Sequence, residues 1–326
     1  MFKRLRLRVD NFLMLLVGMV VLASILPARG SVAPVFATAT DIAIGLLFFL
    51  HGARLSRQAI LQGITHWRLH ITVFLATFGL FPLLGLALEF VPSSVISPNI
   101  VLGIVFLCCL PSTVQSSIAF TSIAGGNVPA AICSASASNL FGIVITPLLV
   151  GLLIRVHGSA LSVHTVTAIM EQLFLPFIVG HLLRPVIGGF ISRHGRLTGM
   201  VDRGSILMVV YGAFSAAVVA GLWHEMSLTD FAALIVADTV LLLLVLAITT
   251  YGSRALRFRR ADEITIVFCG SKKSLASGTP IAAIMFPAHT VGALLLPLMF
   301  FHQIQLMVCA AMAQRYARRR GEVAAS

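Results

Sequence analysis

The feature that most constrains this chain is a succession of apolar stretches, each long enough to cross a lipid bilayer. A transmembrane helix needs about 20 mostly apolar residues. Charged residues make up only 10% of the chain, whereas soluble domains carry about 25%. The sequence therefore predicts an all-α polytopic membrane protein with ten transmembrane helices, at residues 11–28, 34–52, 68–90, 99–122, 128–153, 166–188, 204–222, 229–250, 263–286 and 289–313.

The basic residues support this assignment of spans and predict its direction. With the N-terminus inside, 19 of the 23 Lys and Arg residues fall in the inner tails and loops, and only Arg29 and Arg155 fall outside. Such an excess of inner positive charge is typical of membrane proteins and predicts that both termini are cytoplasmic. It also accounts for the net charge of +12 without a nucleic-acid partner.

The first span has one alternative interpretation. Its basic start, apolar stretch and small residues near position 28 resemble a secretory signal peptide, which would leave nine spans after cleavage. The apolar stretch is long for a signal peptide, so we favour an uncleaved first helix. Two mixed basic and apolar segments, 55–67 and 189–202, each follow a span and are predicted to be amphipathic connectors at the inner interface.

The ten spans divide into two halves of five, 1–157 and 158–326, within one membrane domain. Because five is odd, the second half runs in the opposite direction through the membrane, as in the inverted repeats of secondary transporters. The fourth span of each half carries a related motif. When "QSSIA" is aligned with "KKSLA", Ser117 matches Ser274 and Ala119 matches Ala276.

Both of these spans carry residues that weaken a helix. Pro111 has no N–H to donate, and Gly278 with Pro280 lowers helix propensity in span 9. The backbone groups that a break releases must be satisfied by protein or by a water-lined cavity. Broken helices at matching positions of two inverted halves point to a transport site. Small polar residues that only allow close packing of helices are the alternative.

The two motifs, "LPSTVQSSIAFTSIAGGNVPAA" and "GSKKSLASGTPIA", resemble those of the bile acid:sodium symporter family, in its sodium/bile acid cotransporter 7 branch. The resemblance covers nearly the whole chain. It implies a panel group of helices that moves against a core group, with broken helices 4 and 9 crossing near the midplane. It also implies two sodium ions beside the crossing, held by polar residues of spans 4, 5 and 9 that include a glutamate in span 9.

This sequence departs from the family pattern in span 9. No carboxylate occurs from Val267 to Ser277, and Lys272 and Lys273 stand where relatives carry the glutamate and a glutamine. A sodium site at Ser116, Ser117, Ser138 and Asn139 remains an expectation, whereas ordinary two-sodium coupling is in doubt. The full set of candidate substrate- and ion-binding residues is Gln115, Ser116, Ser117, Ser134, Ser138, Asn139, Ser271, Lys272, Lys273, Ser274 and Ser277.

Two adjacent lysines inside a span require compensation, since one charged lysine at a helix centre costs about 2.5–3.5 kcal/mol. One or both could lose a proton, or Asp41 and Asp238, which are also candidate ion-relay groups, could neutralise them. Three functional hypotheses remain: an ammonium in place of sodium, proton coupling, and binding of an anionic substrate. The structural alternative is a lysine that reaches the membrane interface.

The favoured function is secondary active transport of an organic anion in the bacterial inner membrane, without a cofactor and with sodium or a proton as the coupling ion. The expected partners are the transported anion or ion and the lipid bilayer, with no obligate protein partner. A regulatory or calcium-homeostasis protein is the alternative. An enzyme is not expected, because only a Ser–Lys dyad of Ser271 or Ser274 with a lysine would suggest one. No ATP-binding motif occurs.

Overall fold

The described part of the chain is helical throughout and contains no strand. The computed structural model describes residues 11–54, 66–154, 167–221, 223 and 227–325. We number its helices α1 (Asn11–Ile25), α2 (Val32–Arg54), α3 (Trp67–Phe90), α4 (Pro98–Cys109), α5 (Gln115–Ala124), α6 (Val128–Leu153), α7 (Leu175–Arg193), α8 (Gly195–Val219), α9 (Leu228–Ala255), α10 (Arg260–Gly270), α11 (Leu275–Met285) and α12 (Ala288–Ala325).

Seven helices of the described residues are long and apolar enough to cross a membrane. They correspond to predicted spans 2, 3, 5, 6, 7, 8 and 10. Span 1 is the 15-residue helix α1. Span 4 is divided into α4 and α5, and span 9 into α10 and α11. Much of the outer surface is apolar, with exposed side chains such as Phe90, Val186 and Leu228, as expected for contact with lipid.

The helices pack in two groups. In the first, α1 and α2 pack against α8, and α2 also lies along α7. The closest approach is at two glycines: a Cβ atom on Gly52 would overlap the carbonyl oxygen of Phe177, and one on Gly180 would overlap that of Phe49. In the second group, α12 packs against α4, α5, α9 and α11 and connects to the first group through α8.

The connector predicted at 189–202 is not a separate segment. Helix α7 continues to Arg193, and α8 begins at Gly195 after a single turn residue, His194. The basic residues of this region are therefore at the ends of two long helices. The buried Asp202 forms an ion pair with Arg54 of α2, which stabilises α8 at this end. The other predicted connector, 55–67, lies almost entirely outside the described residues.

Two π-helical turns interrupt the regular hydrogen bonding of long helices. One covers Ala76–Leu80 within α3, and the other covers Met170–Phe174 immediately before α7. A π-turn shifts the hydrogen-bond register and frees a carbonyl, and such turns are frequent at functional sites. The turn in α3 supplies one ligand of the site described below.

Candidate functional site

The two helix breaks lie against each other, and backbone groups make the contact. Leu110 takes an extended conformation before Pro111, so α4 ends at Cys109 and α5 starts at Gln115. Pro111 packs on Gly142 of α6, where a Cβ atom would lie 2.7 Å from the proline ring. Its carbonyl accepts a hydrogen bond of 2.9 Å from the backbone N–H of Ser274.

The second break lies just before Gly278 and Pro280, the helix-weakening residues of span 9. Helix α10 ends at Gly270, and α11 begins at Leu275, so the break contains both lysines. Gly278 and Pro280 lie inside α11. The hydroxyl of Ser274 caps this helix by accepting a hydrogen bond of 3.2 Å from the N–H of Ser277. The break therefore lies within the quoted motif of span 9, and a serine cap determines the start of α11.

Serine hydroxyls of the first break bind carbonyls that precede the second. Ser112 Oγ donates to Cys269 O at 2.6 Å, and Ser117 Oγ donates to Phe268 O at 3.1 Å. Ser112 also donates its N–H to Ser138 Oγ of α6 at 3.0 Å. Ser112 lies in the quoted motif, but the sequence analysis did not select it as a site residue.

Asn139 of α6 connects both breaks. Its amide nitrogen donates to Ser112 O at 2.7 Å, and its amide oxygen accepts from Ser277 Oγ at 2.6 Å. Ser116 hydrogen-bonds with Thr113 at 2.7 Å. The oxygens predicted to hold sodium therefore hold the breaks together in this conformation. The sodium site at Ser116, Ser117, Ser138 and Asn139 stays a prediction.

Lys273 is fully buried, and its ammonium has three backbone acceptors. Lys273 Nζ donates to Thr77 O at 2.8 Å, to Cys108 O at 2.7 Å and to Leu110 O at 2.7 Å. It also lies 4.1 Å from the ring centroid of Phe81. An ammonium has three N–H donors, so this site satisfies all of them. We call these three carbonyl groups the carbonyl cage.

Gln305 of α12 fixes the backbone of Lys273. The Gln305 side chain accepts a hydrogen bond from Lys273 N at 2.9 Å and donates one to Lys273 O at 2.9 Å. Gln305 is fully buried. Gln305 was not among the predicted site residues. A glutamine in an apolar span was the available signal, but its partner could not be inferred from the sequence.

Lys272 is equally buried but has different surroundings. Its Nζ has no hydrogen-bond partner among the described residues. It lies over the ring of Phe120, 3.9 Å from the centroid, with the ring of Phe268 at 5.9 Å. Cation–π attraction is the compensation available to its charge. Neither lysine reaches the surface, so the interpretation that a lysine extends to the membrane interface is wrong.

The predicted carboxylate partners do not neutralise the lysines in this conformation. Within the described ranges, ion pairs join carboxylates to arginines only, and no carboxylate lies within 4.0 Å of either lysine. Asp41 is exposed on α2. Asp238 of α9 is fully buried, and neither of its oxygens has a hydrogen-bond partner among the described residues. A relay role for these two aspartates stays a prediction.

Three further candidates lie outside the contact between the breaks. Gln115 is exposed at the start of α5. Ser134 hydrogen-bonds with His70 of α3 at 2.7 Å. Ser271 donates to Val267 O, in its own helix, at 2.6 Å. In the described part of the chain neither lysine hydrogen-bonds with a serine, which does not favour a Ser–Lys dyad.

The contact between the breaks is closed in this conformation, since both lysines are fully buried. A cavity of about 580 Å³ lies elsewhere, at an arginine-rich end of the bundle, and is lined by residues that include Arg68, Asn127, Arg257, Arg259 and Asp262. No group of His, Cys, Asp or Glu side chains among the described residues is arranged to hold a metal ion.

We expect Gln305→Leu to lower the free energy of unfolding by about 2–3 kcal/mol, because it leaves the N–H and C=O of Lys273 buried without partners. Thermal unfolding in detergent would measure this. Gln303→Leu, at a half-buried position of the same helix, is the control and should have a smaller effect. Equal destabilisation by both substitutions would show that the Lys273 backbone does not depend on Gln305.

The chain combines several membrane-length helices with two helix breaks that face each other across a buried polar contact, which is typical of transporters. Secondary transporters build their substrate and ion sites from such discontinuous helices. This combination places the chain among multi-pass membrane transporters.

The chain belongs to the SBF-like CPA transporter family, whose family model matches residues 10–318. It is 57% identical over 318 residues to an uncharacterized protein of Pseudomonas aeruginosa, with coverage of 97% of this chain and 96% of the relative. It is 52% identical to the Escherichia coli protein named "Putative symporter YfeH", with coverage of 97% and 95%. It is 28% identical to the rat protein named "Sodium/bile acid cotransporter 7", with coverage of 83% and 81%. The resemblance found in the sequence is confirmed.

Proposed function

We propose that this protein is a secondary active transporter that moves a small organic anion across the membrane by alternating access. The observation that carries the proposal is the contact of two helix breaks around two buried lysines, neither of which has a carboxylate of the described residues within 4.0 Å. Helices α5 and α11 begin at these breaks, and the N-terminal end of a helix carries partial positive charge. Both features favour an anion once the contact opens.

The proposal includes ten transmembrane helices in two inverted halves, with broken helices 4 and 9 crossing near the midplane. A regular spacing in sequence supports it. Ser112 contacts Cys269, 157 residues later. When 157 is added to each residue number, Ser117 corresponds to Ser274 and Pro111 corresponds to Phe268. The contact of Ser117 with Phe268 therefore has a counterpart in the contact of Ser274 with Pro111, as a two-fold axis between the halves requires.

We infer that both termini are cytoplasmic in a bacterial inner membrane. Arg68 at the start of α3 donates to Leu256 O after α9, at 3.2 Å, so these two helix ends lie on one side. Arg254 and Arg260 share Glu263 at 3.0 and 2.5 Å on the same side. This grouping supports the inner side, because basic residues concentrate there. The basic residues at positions 3, 4, 6, 8, 57 and 155 lie outside the described residues.

The test is a thermal-shift screen of the purified protein with small carboxylates and sulfonates, including taurocholate, followed by uptake of the stabilising anions into proteoliposomes. We expect Ser277→Ala and Asn139→Ala to lower uptake by at least about tenfold, the equivalent of 1.4 kcal/mol. Thr239→Ala is the control, since Thr239 is half-buried on α9 and its hydroxyl donates to Ile235 O of the same helix. Stabilisation by ions alone, without anion flux, would favour a regulatory protein instead.

The Ser–Lys enzyme hypothesis has its own test in the same assay. Anion uptake that persists in Ser271→Ala and Ser274→Ala would contradict a serine nucleophile at either position. The names of the relatives refer to transport, which agrees with this expectation.

A further inference from the structure

The carbonyl cage consists of backbone groups that regular helices would have used internally. Thr77 lies in the π-helical turn of α3, Cys108 in the last turn of α4, and Leu110 in the break. Each carbonyl is free because the chain is irregular there. The cage is therefore a property of α3 and α4, and it would exist whatever residue occupied position 273.

Backbone carbonyls released at helix breaks are the usual ligands of monovalent cations inside membrane proteins. In this protein the ligand is the ammonium of Lys273, with N···O distances of 2.7–2.8 Å. These distances are typical of charge-assisted hydrogen bonds. The ring face of Phe81 at 4.1 Å covers the ammonium and also attracts positive charge.

The side chain that enters the cage is held at its backbone end as well. Two hydrogen bonds of Gln305 act on the N–H and C=O of Lys273, and a third joins Gln305 Nε2 to His302 Nδ1 at 2.9 Å. The charged head is therefore positioned by α3 and α4, and the backbone by α12. A side chain that only fills a cavity does not need hydrogen bonds at both its backbone and its head group. These bonds keep the Lys273 ammonium at one position.

We propose that the carbonyl cage is a monovalent-cation site in which the Lys273 ammonium is a covalently attached cation. The three acceptors distinguish it from Lys272, whose Nζ has no acceptor in the part of the chain that the structure describes. In the transport cycle, and resting there on the proposed function, the fixed ammonium replaces a dissolved cation that would otherwise bind and leave at this point. Transport through this site would then require no sodium gradient.

The test restores the missing cation from solution. Lys273→Ala shortens the side chain and leaves the cage open, as does Lys273→Ser. Thermal unfolding of each full-length variant would be measured in choline chloride and then in ethylammonium, ammonium, potassium and sodium chloride at constant ionic strength. We expect at least one of the small cations to raise the melting temperature of these variants by about 5 °C or more. Wild type and Lys272→Ala should not respond.

Two results would overturn the proposal. One is a Lys273→Ala or Lys273→Ser protein whose melting temperature is the same in all five salts. The other is an equal response of Lys272→Ala, which would indicate a general salt effect. If neither position-273 variant can be purified in any salt, the wild type decides: specific stabilisation by sodium contradicts the proposal, and an unchanged melting temperature in choline supports it.

This experiment is independent of the transported substrate. Rescue by a cation without any anion flux would leave the cation site established and the transport proposal wrong. Anion uptake without rescue by any cation would support the transport proposal and contradict the cation site.

Discussion

Lys273→Met is expected to lower the free energy of unfolding by about 3–5 kcal/mol, the usual cost of removing one partner from a buried charged contact. Methionine fills similar space but donates no hydrogen bond, so the carbonyls of Thr77, Cys108 and Leu110 lose their donor together. A buried group without its partner typically costs about 1–3 kcal/mol, and these costs are not additive. Thermal and denaturant unfolding in detergent would measure the loss.

Lys272→Met is the matched control, since it removes the same charge from the preceding residue, which is equally buried. Lys272 Nζ has no hydrogen-bond acceptor in the described structure, so methionine breaks no such bond. The substitution loses the cation–π attraction between Lys272 and Phe120, which costs about 1–2 kcal/mol. It also removes a buried charge that has no ionic partner among the described residues, and this gain offsets the loss. We expect a net change within about 1 kcal/mol. Equal losses for both variants would contradict the different roles of the two lysines.

Gly180→Ala is expected to destabilise the protein by more than about 3 kcal/mol, beyond the usual range for overpacking. Its Cβ atom would overlap the carbonyl oxygen of Phe49, and the reciprocal Gly52→Ala would overlap that of Phe177. Backbone cannot rotate away as a side chain can, so α2 and α7 would have to separate. The measurements are melting temperature and the monodisperse fraction in size-exclusion chromatography.

The control for this pair is Gly189→Ala, also on α7, where an added Cβ atom would meet no atom of the described residues within 4 Å. Alanine is favoured over glycine in a helix by about 1 kcal/mol, so this variant should be neutral or stabilised. A stable Gly180→Ala protein would mean that α2 and α7 are not in close contact in solution.

The positions of the helices were predictable because each has its own apolar composition. The first break was predictable for a similar local reason, since Pro111 cannot donate a hydrogen bond and disfavours a helical conformation at Leu110. The second break lies within the quoted motif of span 9, but its limits were not predictable, because Gly278 and Pro280 are tolerated inside α11 and Ser274 caps it. Local sequence indicates where a helix can break, but the tertiary contacts decide where it does.

The carbonyl cage could not be predicted from the sequence. Every residue has a carbonyl, so the identity of Thr77, Cys108 and Leu110 gives no signal. Neighbouring residues of a helix point in different directions, so Lys272 and Lys273 need not share one environment. Which lysine would enter a cage depended on the packing of α3 and α4, which no local pattern encodes. The role of Gln305 was hidden for the same reason.

The carbonyl cage also has a consequence for biogenesis. Its three acceptors are complete once α4 has been synthesised, but the donor follows more than 160 residues later in the chain. During membrane insertion the three carbonyl groups of the first half therefore have no Lys273 donor until the second half is inserted. A product truncated before Lys273 would leave all three carbonyls without this donor.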